Sequence, residues 1–266
     1  MLQRKVSETG VVYYQSPLLA RVGVPHGFST RLGGVSMSPF DSLNLGNPQG
    51  AAQQDEWERI NENYRRLIHA IGASNRERAW VHQVHGGDVV FVRREHEFSN
   101  GARADALVSD DPDRLLTIRV ADCVPILLAS DDGAAVAAVH AGWRGVIAGA
   151  VPNAVRELKR FTDRPLLAAI GPCISRGSFE VGPEVMAQFD EHFAGENGLV
   201  DRNGDVKGHV DLRLAVQIQL QRAGLSADQI DSNECCTYRD AEEFFSHRRE
   251  KGLTGRLAAL IAARRI

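Results

Sequence analysis

The segment ADCVPILLASDDGAAVAAVHAGWRG, residues 121–145, sets a thiol, Cys123, and an imidazole, His140, in two apolar runs flanking a turn signal, Asp131-Asp132-Gly133. Two such runs around such a turn predict a hairpin. A two-residue loop at Asp131-Asp132 sets Cys123 opposite His140, whereas a three-residue loop through Gly133 sets it opposite Ala141. Residues directly opposed on antiparallel strands hold their Cβ atoms about 5 Å apart. A thiolate and an imidazole at that distance can share a proton or a metal ion. Pro125 removes a backbone donor from the first run, which predicts an edge strand or a bulge there.

The segment WVHQVHGGDVV supplies the third group. His82 and His85 are three apart and face opposite sides of an extended strand, so at most one joins the pair. His85, before Gly86-Gly87 at a strand end, is the candidate; His82 is expected outside the cluster, packed or solvated. Two imidazole nitrogens and one sulfur leave a position open, the donor pattern of a catalytic zinc or a copper site. The bland alternatives are an inert buried thiol and hydrogen-bonded structural histidines. Asp122 points to the other face of a regular strand, but a bulge at Pro125 would bring it round as a hydrogen-bond partner for a histidine. Cys173, Cys235 and Cys236 form no C-x-x-C pair, and a chain of 266 residues needs no disulfide staples. Reduced thiols are expected throughout.

These groups need a scaffold. GFSTRLGGVSMSPFDSLNLGNPQG, residues 27–50, shows neither strand nor helix periodicity and reads as a long ordered loop. DEWERINENYRRLIHAIG spaces Trp57, Ile60, Tyr64, Leu67, Ile68 and Ile71 as a helical stripe closed by Gly72. RAWVHQVHGGDVVFVRR reads as two short strands around Gly86-Gly87, and further strands follow in ALVSDDPDRLLTIRVADCVPILLAS. GVIAGAVPNAVRELKRF is a helix that Pro152 either kinks or opens. RPLLAAIGPCI is a buried strand, and GPEVMAQFDEHF is a helix with Pro183 at its start. VDLRLAVQIQLQRAG is a helix capped by Asp211 and closed by Gly224. The tail GRLAALIAARRI reads as a final strand despite its helix formers. Strands and helices mix without a βαβ rhythm and hairpins predominate, which predicts an α+β fold with mixed, largely antiparallel sheets.

Composition bounds the partners. Apolar residues at 43% and charged residues at 24% suit a globular protein with a sizeable core. A net charge of −3 offers no general attraction to nucleic acid or an anionic membrane. No signal-like h-region opens the chain, and no apolar run approaches membrane-spanning length. The expectation is a soluble, cytoplasmic protein without nucleic-acid or membrane partners.

The residues QVHG, ADALVS, ADCVPILL, AAVHAGWRG, IGPCI with FEVGPEV, and CTYRD followed by FFSHRRE resemble the YfiH family in its usual order, from about Gly27 to Arg256. GFSTRLGGVS and SLNLG in the early loop belong to the same pattern, with NENYRRL and VDLRLAV as minor departures. The family is also called the laccase-domain, polyphenol oxidase or multicopper oxidoreductase-like family. The resemblance implies one α+β domain spanning residues 1–266, with a fold related to a group of cysteine hydrolases. It implies a His-Cys-His site at His85, Cys123 and His140 that holds zinc or copper. It also implies purine nucleoside chemistry: phosphorolysis of adenosine, inosine and methylthioadenosine, and adenosine deamination. Older naming implies polyphenol oxidation, and some bacterial members are linked to peptidoglycan editing.

The residues weigh these activities. Multicopper laccases need about ten histidine ligands, mostly in H-x-H pairs; this chain has 9 histidines and no H-x-H. Deamination needs an activated water, which one zinc with an open position can supply. Phosphorolysis needs a held phosphate and a proton for the departing purine. Arg31, Arg144 and Arg248 are the candidate phosphate clamps, each with an ordinary surface ion pair as its alternative. Arg144 is preferred, four residues beyond His140 where strand gives way to helix. The nucleoside enzyme is the leading expectation, with nucleosides and phosphate as its small-molecule partners. Its rivals are a cysteine hydrolase with Cys123 as nucleophile and His140 as base, a copper-dependent polyphenol oxidase, and a metal-binding protein without turnover.

Overall fold

A strand that is apolar at every position has to be covered on both faces, because successive side chains point to opposite sides. VPILLAS, VAAVHA, LLAAI and LAALI are of this kind apart from Ser130 and His140, and every one of their residues is buried. The computed structural model describes residues 1–48, 50–93, 98–203 and 206–265. Gln49 of the long loop, Arg94 after the second Gly-Gly strand and Ile266 of the tail lie outside the described residues.

In chain order the strands are β1 (Gln3–Val6), β2 (Val12–Gln15), β3 (His26–Ser29), β4 (Glu77–Trp80), β5 (Val89–Val92), β6 (Ala106–Ser109), β7 (Arg114–Val120), β8 (Val124–Ser130), β9 (Val136–Ala141), β10 (Leu166–Ile170), β11 (Glu180–Val181), β12 (Val200–Asn203), β13 (Lys207–Val210), β14 (Ile230–Asp231) and β15 (Leu257–Ile261). The helices are α1 (Pro17–Arg21), α2 (Trp57–Ala70), α3 (Trp143–Ile147), α4 (Ala150–Leu158), α5 (Pro183–His192) and α6 (Leu212–Arg222). One six-stranded sheet runs β1-β2-β3-β15-β7-β4 and a second runs β14-β10-β8-β9-β6-β5, with a small sheet β11-β13-β12 beside them. Most pairings are antiparallel; β4 with β7, β5 with β6 and β10 with β14 are parallel. The architecture is α+β with mixed sheets.

Period-2 alternation divides the core into layers. Phe28, Leu116, Ile118 and Ala259 of the first sheet meet Leu107, Leu127, Ala138 and Ala169 of the second in one cluster. The outer face of the second sheet packs through Ile126, Leu128, Val139 and Ile170 on helix residues such as Val151, Val155, Phe189 and Val216. The outer face of the first sheet packs through Leu115 and Leu260 on Ile60, Tyr64 and Leu67 of α2. Trp57 departs from that expected stripe: it opens α2 and is 60% exposed.

Several elements differ from the sequence reading. The first residues of the long loop are strand β3, since Gly27 and Phe28 pair with β15. The helix around Pro152 is two, α3 and α4, divided at Gly149, whose φ of 76° is left-handed. Pro152 falls in the first turn of α4, where its missing donor is tolerated. The strands flanking Gly86-Gly87 belong to different sheets, so the chain crosses between layers there. Strand β8 is central rather than an edge, lying between β10 and β9. It accommodates Pro125 because the lost donor would face Gly171, beyond the end of β10; Gly171 N–H still donates to the Pro125 carbonyl at 2.9 Å.

Candidate functional site

The hairpin register differs from both expected ones, and in the direction that keeps the chemistry. Ser130 N–H bonds the Ala135 carbonyl, so the loop holds one residue more than the longer expectation. Val124 pairs with Ala141 and Pro125 with His140. Continuing that register, Cys123 lies opposite Gly142. It therefore shares a face with His140 as a diagonal neighbour.

His85 and Cys123 sit on the two places where the chain crosses from the first sheet to the second, between β4 and β5 and between β7 and β8. Both crossings contain a non-glycine residue of positive φ, His85 at 61° and Asp122 at 86°. Such backbone is costly and needs surrounding bonds to hold it. At the first crossing Asp105 supplies them. Its Oδ1 accepts from His85 N–H at 2.9 Å, and its Oδ2 accepts from Gly86 N–H at 2.6 Å and Val84 N–H at 3.2 Å. At the second, Asp122 accepts from the Thr237 hydroxyl at 2.6 Å and from Arg248 N–H at 2.7 Å.

The same Asp105 carboxylate fixes the third member. It lies next to β6, facing His140, and Oδ1 meets His140 Nδ1 at 2.8 Å with both side chains buried. That leaves Nε2 of His140 for the site. The available ligand atoms of His85, Cys123 and His140 all lie within 4.8 Å of one another, and the two imidazoles meet edge-on with centroids 4.9 Å apart. Among the described residues this is the one group of three His, Cys, Asp or Glu side chains placed to hold a metal. Metal–nitrogen and metal–sulfur bonds of roughly 2.0–2.3 Å suit such a spacing after slight contraction, and a carboxylate behind the histidine is the usual way to orient a ligand. The donor set fits zinc or copper.

Electrostatics couple the triad. Burial would raise the Cys123 thiol, but the charge of His140 and hydrogen bonds from His140 and His85 outweigh it and bring the thiol down to about 6. Burial would lower His140, but the Cys123 thiolate and Asp105 outweigh it and raise the imidazole to about 9. Without metal the pair is therefore thiolate and imidazolium between those values. Iodoacetamide should alkylate Cys123 of metal-stripped protein at a rate already near its plateau at pH 7 and falling as pH drops through about 6. Peptide mapping isolates this cysteine from buried Cys173 and Cys236 and from Cys235, whose thiol burial raises. A rate still climbing tenfold per pH unit between 7 and 8 would contradict the pairing.

Gly142 is where the triad leaves no room. A Cβ there would lie 2.9 Å from Cys123 Sγ and 3.0 Å from His85 Cδ2. Its φ of −73° suits any residue, so the constraint is space. Gly142→Ala should leave a folded protein with an unchanged far-UV spectrum and with metal affinity reduced about ten- to a hundredfold, the range for a disturbed ligand shell. Full metal affinity in that variant would show the three groups to be looser than described.

The triad opens into a cleft of about 670 Å³, within the range of small-molecule sites. Its lining includes Asn47, Pro48, Gln54 and Trp57, Ile174, Phe179, His247 and Arg248, and His82, Gln83, Arg119, Ala121, Asp122 and Arg256. His82 thus lies in the cleft but outside the triad.

Of the three expected arginines only Arg248 lines the cleft. Arg31 donates to the Asp41 and Ala241 carbonyls and stacks over Phe245, fastening the early loop to the segment near Glu243. Arg144 is exposed, with its guanidinium 4.3 Å over its neighbour Trp143. Asp122 faces Thr237 and the Arg248 backbone rather than a histidine, because the left-handed turn aims it away. The sequence reading missed Asp105, Arg119 and Arg256. Their signals were an acid before the apolar run ALVS, and arginines at the polar end of LLTIRV and the start of RLAALI.

A family model described as multi-copper polyphenol oxidoreductase laccase matches residues 25–264. The purine nucleoside phosphorylase YfiH of Shigella flexneri is 41% identical over 242 residues, 90% of this chain and 93% of that protein. A purine nucleoside phosphorylase of Deinococcus radiodurans is 38% identical over 254 residues, 95% of this chain and 93% of that protein. The crystal structure of YlmD from Geobacillus stearothermophilus is similar with a TM-score of 0.86 at 30% identity, covering 98% of this chain and 99% of that one. A Neisseria meningitidis protein gives 0.82 at 31% identity, covering 96% and 99%.

Proposed function

The chain belongs to the YfiH family of multi-copper polyphenol oxidoreductase laccase-type proteins, and from that premise we propose that it is a purine nucleoside phosphorylase. Its substrates are adenosine, inosine and methylthioadenosine, and it also deaminates adenosine. The observation that carries this reading is the convergence of His85, Cys123 and His140 in a cleft of nucleoside size that also presents guanidinium groups.

His85, Cys123 and His140 would hold zinc or copper, which would supply Lewis acidity when bound. The chain's own residues supply the rest. The cleft excludes water and holds the nucleoside so that C1′ faces the phosphate. A phosphate oxygen bonds to C1′ as the C1′–N9 bond breaks, and the electron pair goes to N9. Phosphate entering as H₂PO₄⁻ brings the proton that ends on the purine, and ribose 1-phosphate, or methylthioribose 1-phosphate from methylthioadenosine, leaves. Asp105 holds His140 in one orientation throughout. In deamination, water adds at the amino-bearing carbon and ammonia departs.

The thiolate–imidazolium pair favours a second reading, a cysteine hydrolase in which Cys123 attacks an amide, His140 protonates the leaving amine, and water then cleaves the acyl-thioester to release the acid and the thiol. The polyphenol oxidase reading finds less support, since the described residues offer one three-ligand group rather than several. No helix is long and apolar enough to cross a membrane. We place the enzyme in the cytoplasm, where nucleosides and phosphate meet and thiols stay reduced.

The test is incubation of metal-defined protein with adenosine, with and without phosphate, resolving inosine, adenine and hypoxanthine. Adenine that forms only with phosphate supports the reading, with inosine forming in both arms. No consumption of any purine nucleoside by metal-replete protein would overturn it, and chelator-insensitive amide hydrolysis would put the hydrolase in its place.

A further inference from the structure

We propose that Arg119 and Arg256, joined by Arg248, form an oxyanion site in the cleft that takes a phosphate, whether inorganic phosphate or the phosphate group of a nucleotide. The inference rests on the phosphorylase reading for its purpose, but its residues are argued from geometry and charge.

The ladder between β7 and β15 pairs Arg119 with Ala258 and Val120 with Leu257. One step further, Arg256 falls opposite Ala121. Alternation then puts Arg119 and Arg256 on the same face as diagonal neighbours, and both line the cleft that holds the triad. Two guanidinium groups side by side repel. Burial, followed by the charge of Arg119, holds Arg256 below the usual arginine range. A neighbouring carboxylate would relieve this, yet among the described residues no carboxylate pairs with Arg119, Arg248 or Arg256. Among the described residues the Arg256 guanidinium donates only to the carbonyls of Thr254 and Gly255, and the Arg248 guanidinium to that of Glu180. Asp122 is the one acid in the lining, and its oxygens already accept from Thr237 and the Arg248 backbone.

The early loop maintains this arrangement. Asn44, fully buried, accepts with Oδ1 from Arg256 N–H at 2.9 Å and from Gly46 N–H at 3.1 Å. Leu45 N–H returns a bond to the Arg256 carbonyl at 2.9 Å. Gly46 lies against the other arginine: a Cβ there would be 2.8 Å from Arg119 Nη1 and 2.9 Å from its Cδ. SLNLG therefore clamps one arginine and makes room for the other, which gives that motif a task outside the triad. Guanidinium forks match tetrahedral oxyanions, and partial burial strengthens the match.

The experiment uses the metal-replete full chain and inorganic phosphate as the probe. Isothermal titration with phosphate and the phosphate KM of adenosine phosphorolysis are compared for wild type, Arg119→Gln, Arg256→Gln, and Arg144→Gln as a control outside the cleft. The first two variants should weaken phosphate binding and raise its KM by about ten- to a hundredfold, as expected for lost charge-assisted bonds; Arg144→Gln should do neither. Arg119→Lys, which keeps the charge, should recover part of the affinity and serves if a glutamine variant melts early. A competition arm with adenosine 5′-monophosphate separates the ligand sources. Displacement of phosphate by adenosine 5′-monophosphate at concentrations where adenosine alone displaces none assigns the site to a nucleotide's phosphate, and its absence assigns it to inorganic phosphate. Phosphorolysis with unchanged phosphate KM in both glutamine variants would overturn the site and leave the phosphorylase reading standing. Arginine-dependent phosphate binding without nucleoside turnover would overturn that reading and leave the site.

Discussion

Cys123→Ala should lower phosphorolysis by about 10²–10⁴-fold, the loss typical of a group engaged with the reacting centre, while leaving the protein folded. The thiolate is the softest and only anionic donor of the triad, so zinc or copper should be retained far less well. The fold should tolerate the change because Cys123 stands at a crossing between sheets, outside β8, and alanine fits where a thiol fitted. Metal content by mass spectrometry, melting temperature and turnover of inosine together read the effect. Wild-type turnover in a metal-defined Cys123→Ala protein would remove the thiol from both ligand and nucleophile roles.

Asp105→Ala is expected to have the largest effect on stability. The carboxylate is fully buried and accepts from His140 Nδ1 and from the backbone of Val84, His85 and Gly86. Removing it strands those donors, at a cost of about 3–5 kcal/mol for a broken buried charge network. Asp105→Asn keeps the volume and one acceptor but loses the charge, so it should fold better while metal affinity falls about ten- to a hundredfold. The pH dependence follows in sign. Burial pushes the Asp105 carboxyl up, but bonds from His140, Gly86 and His85 outweigh this and lower it. A lowered carboxyl contributes stability that is full above the ordinary value of about 3.9 and lost on acidification below it. The asparagine variant should lack that component, and urea midpoints of both proteins between pH 3 and 7 measure it. Equal acid sensitivity in the two would show that the carboxylate is not held as described.

The hairpin illustrates how far the sequence reads. Its strands, turn and reactive side chains were legible in apolar runs broken by Asp-Asp-Gly, but its register was not. Loop length sets register, and the extra loop residue comes from Ser130 hydroxyl bonds to Asp132 and Ala135 that no turn signal specifies. The final strand could be read from its continuous apolar run, while its neighbours β3 and β7 lie far away in sequence. Asp105 escaped for a related reason. It is 20 residues from His85 and 35 from His140, and meets them only because β6 lies between β5 and β9. Arg144 was preferred on local context alone. Arg144 follows His140 closely, but helix α3 turns it outward over Trp143, whereas Arg119 and Arg256 come together through a sheet ladder. His85 and Cys123 were found through their types and the resemblance carried by QVHG and ADC. The crossing between sheets that unites them has no signature of its own.

A crystal structure with phosphate and a purine C-nucleoside, whose carbon–carbon glycosidic link phosphate cannot cleave, tests the central claim most directly. The ribose should lie in the cleft with C1′ turned toward His85, Cys123 and His140, and the phosphate between C1′ and the Arg119–Arg256 pair. A nucleoside bound elsewhere on the protein, with the triad cleft holding solvent alone at saturating ligand, would contradict it.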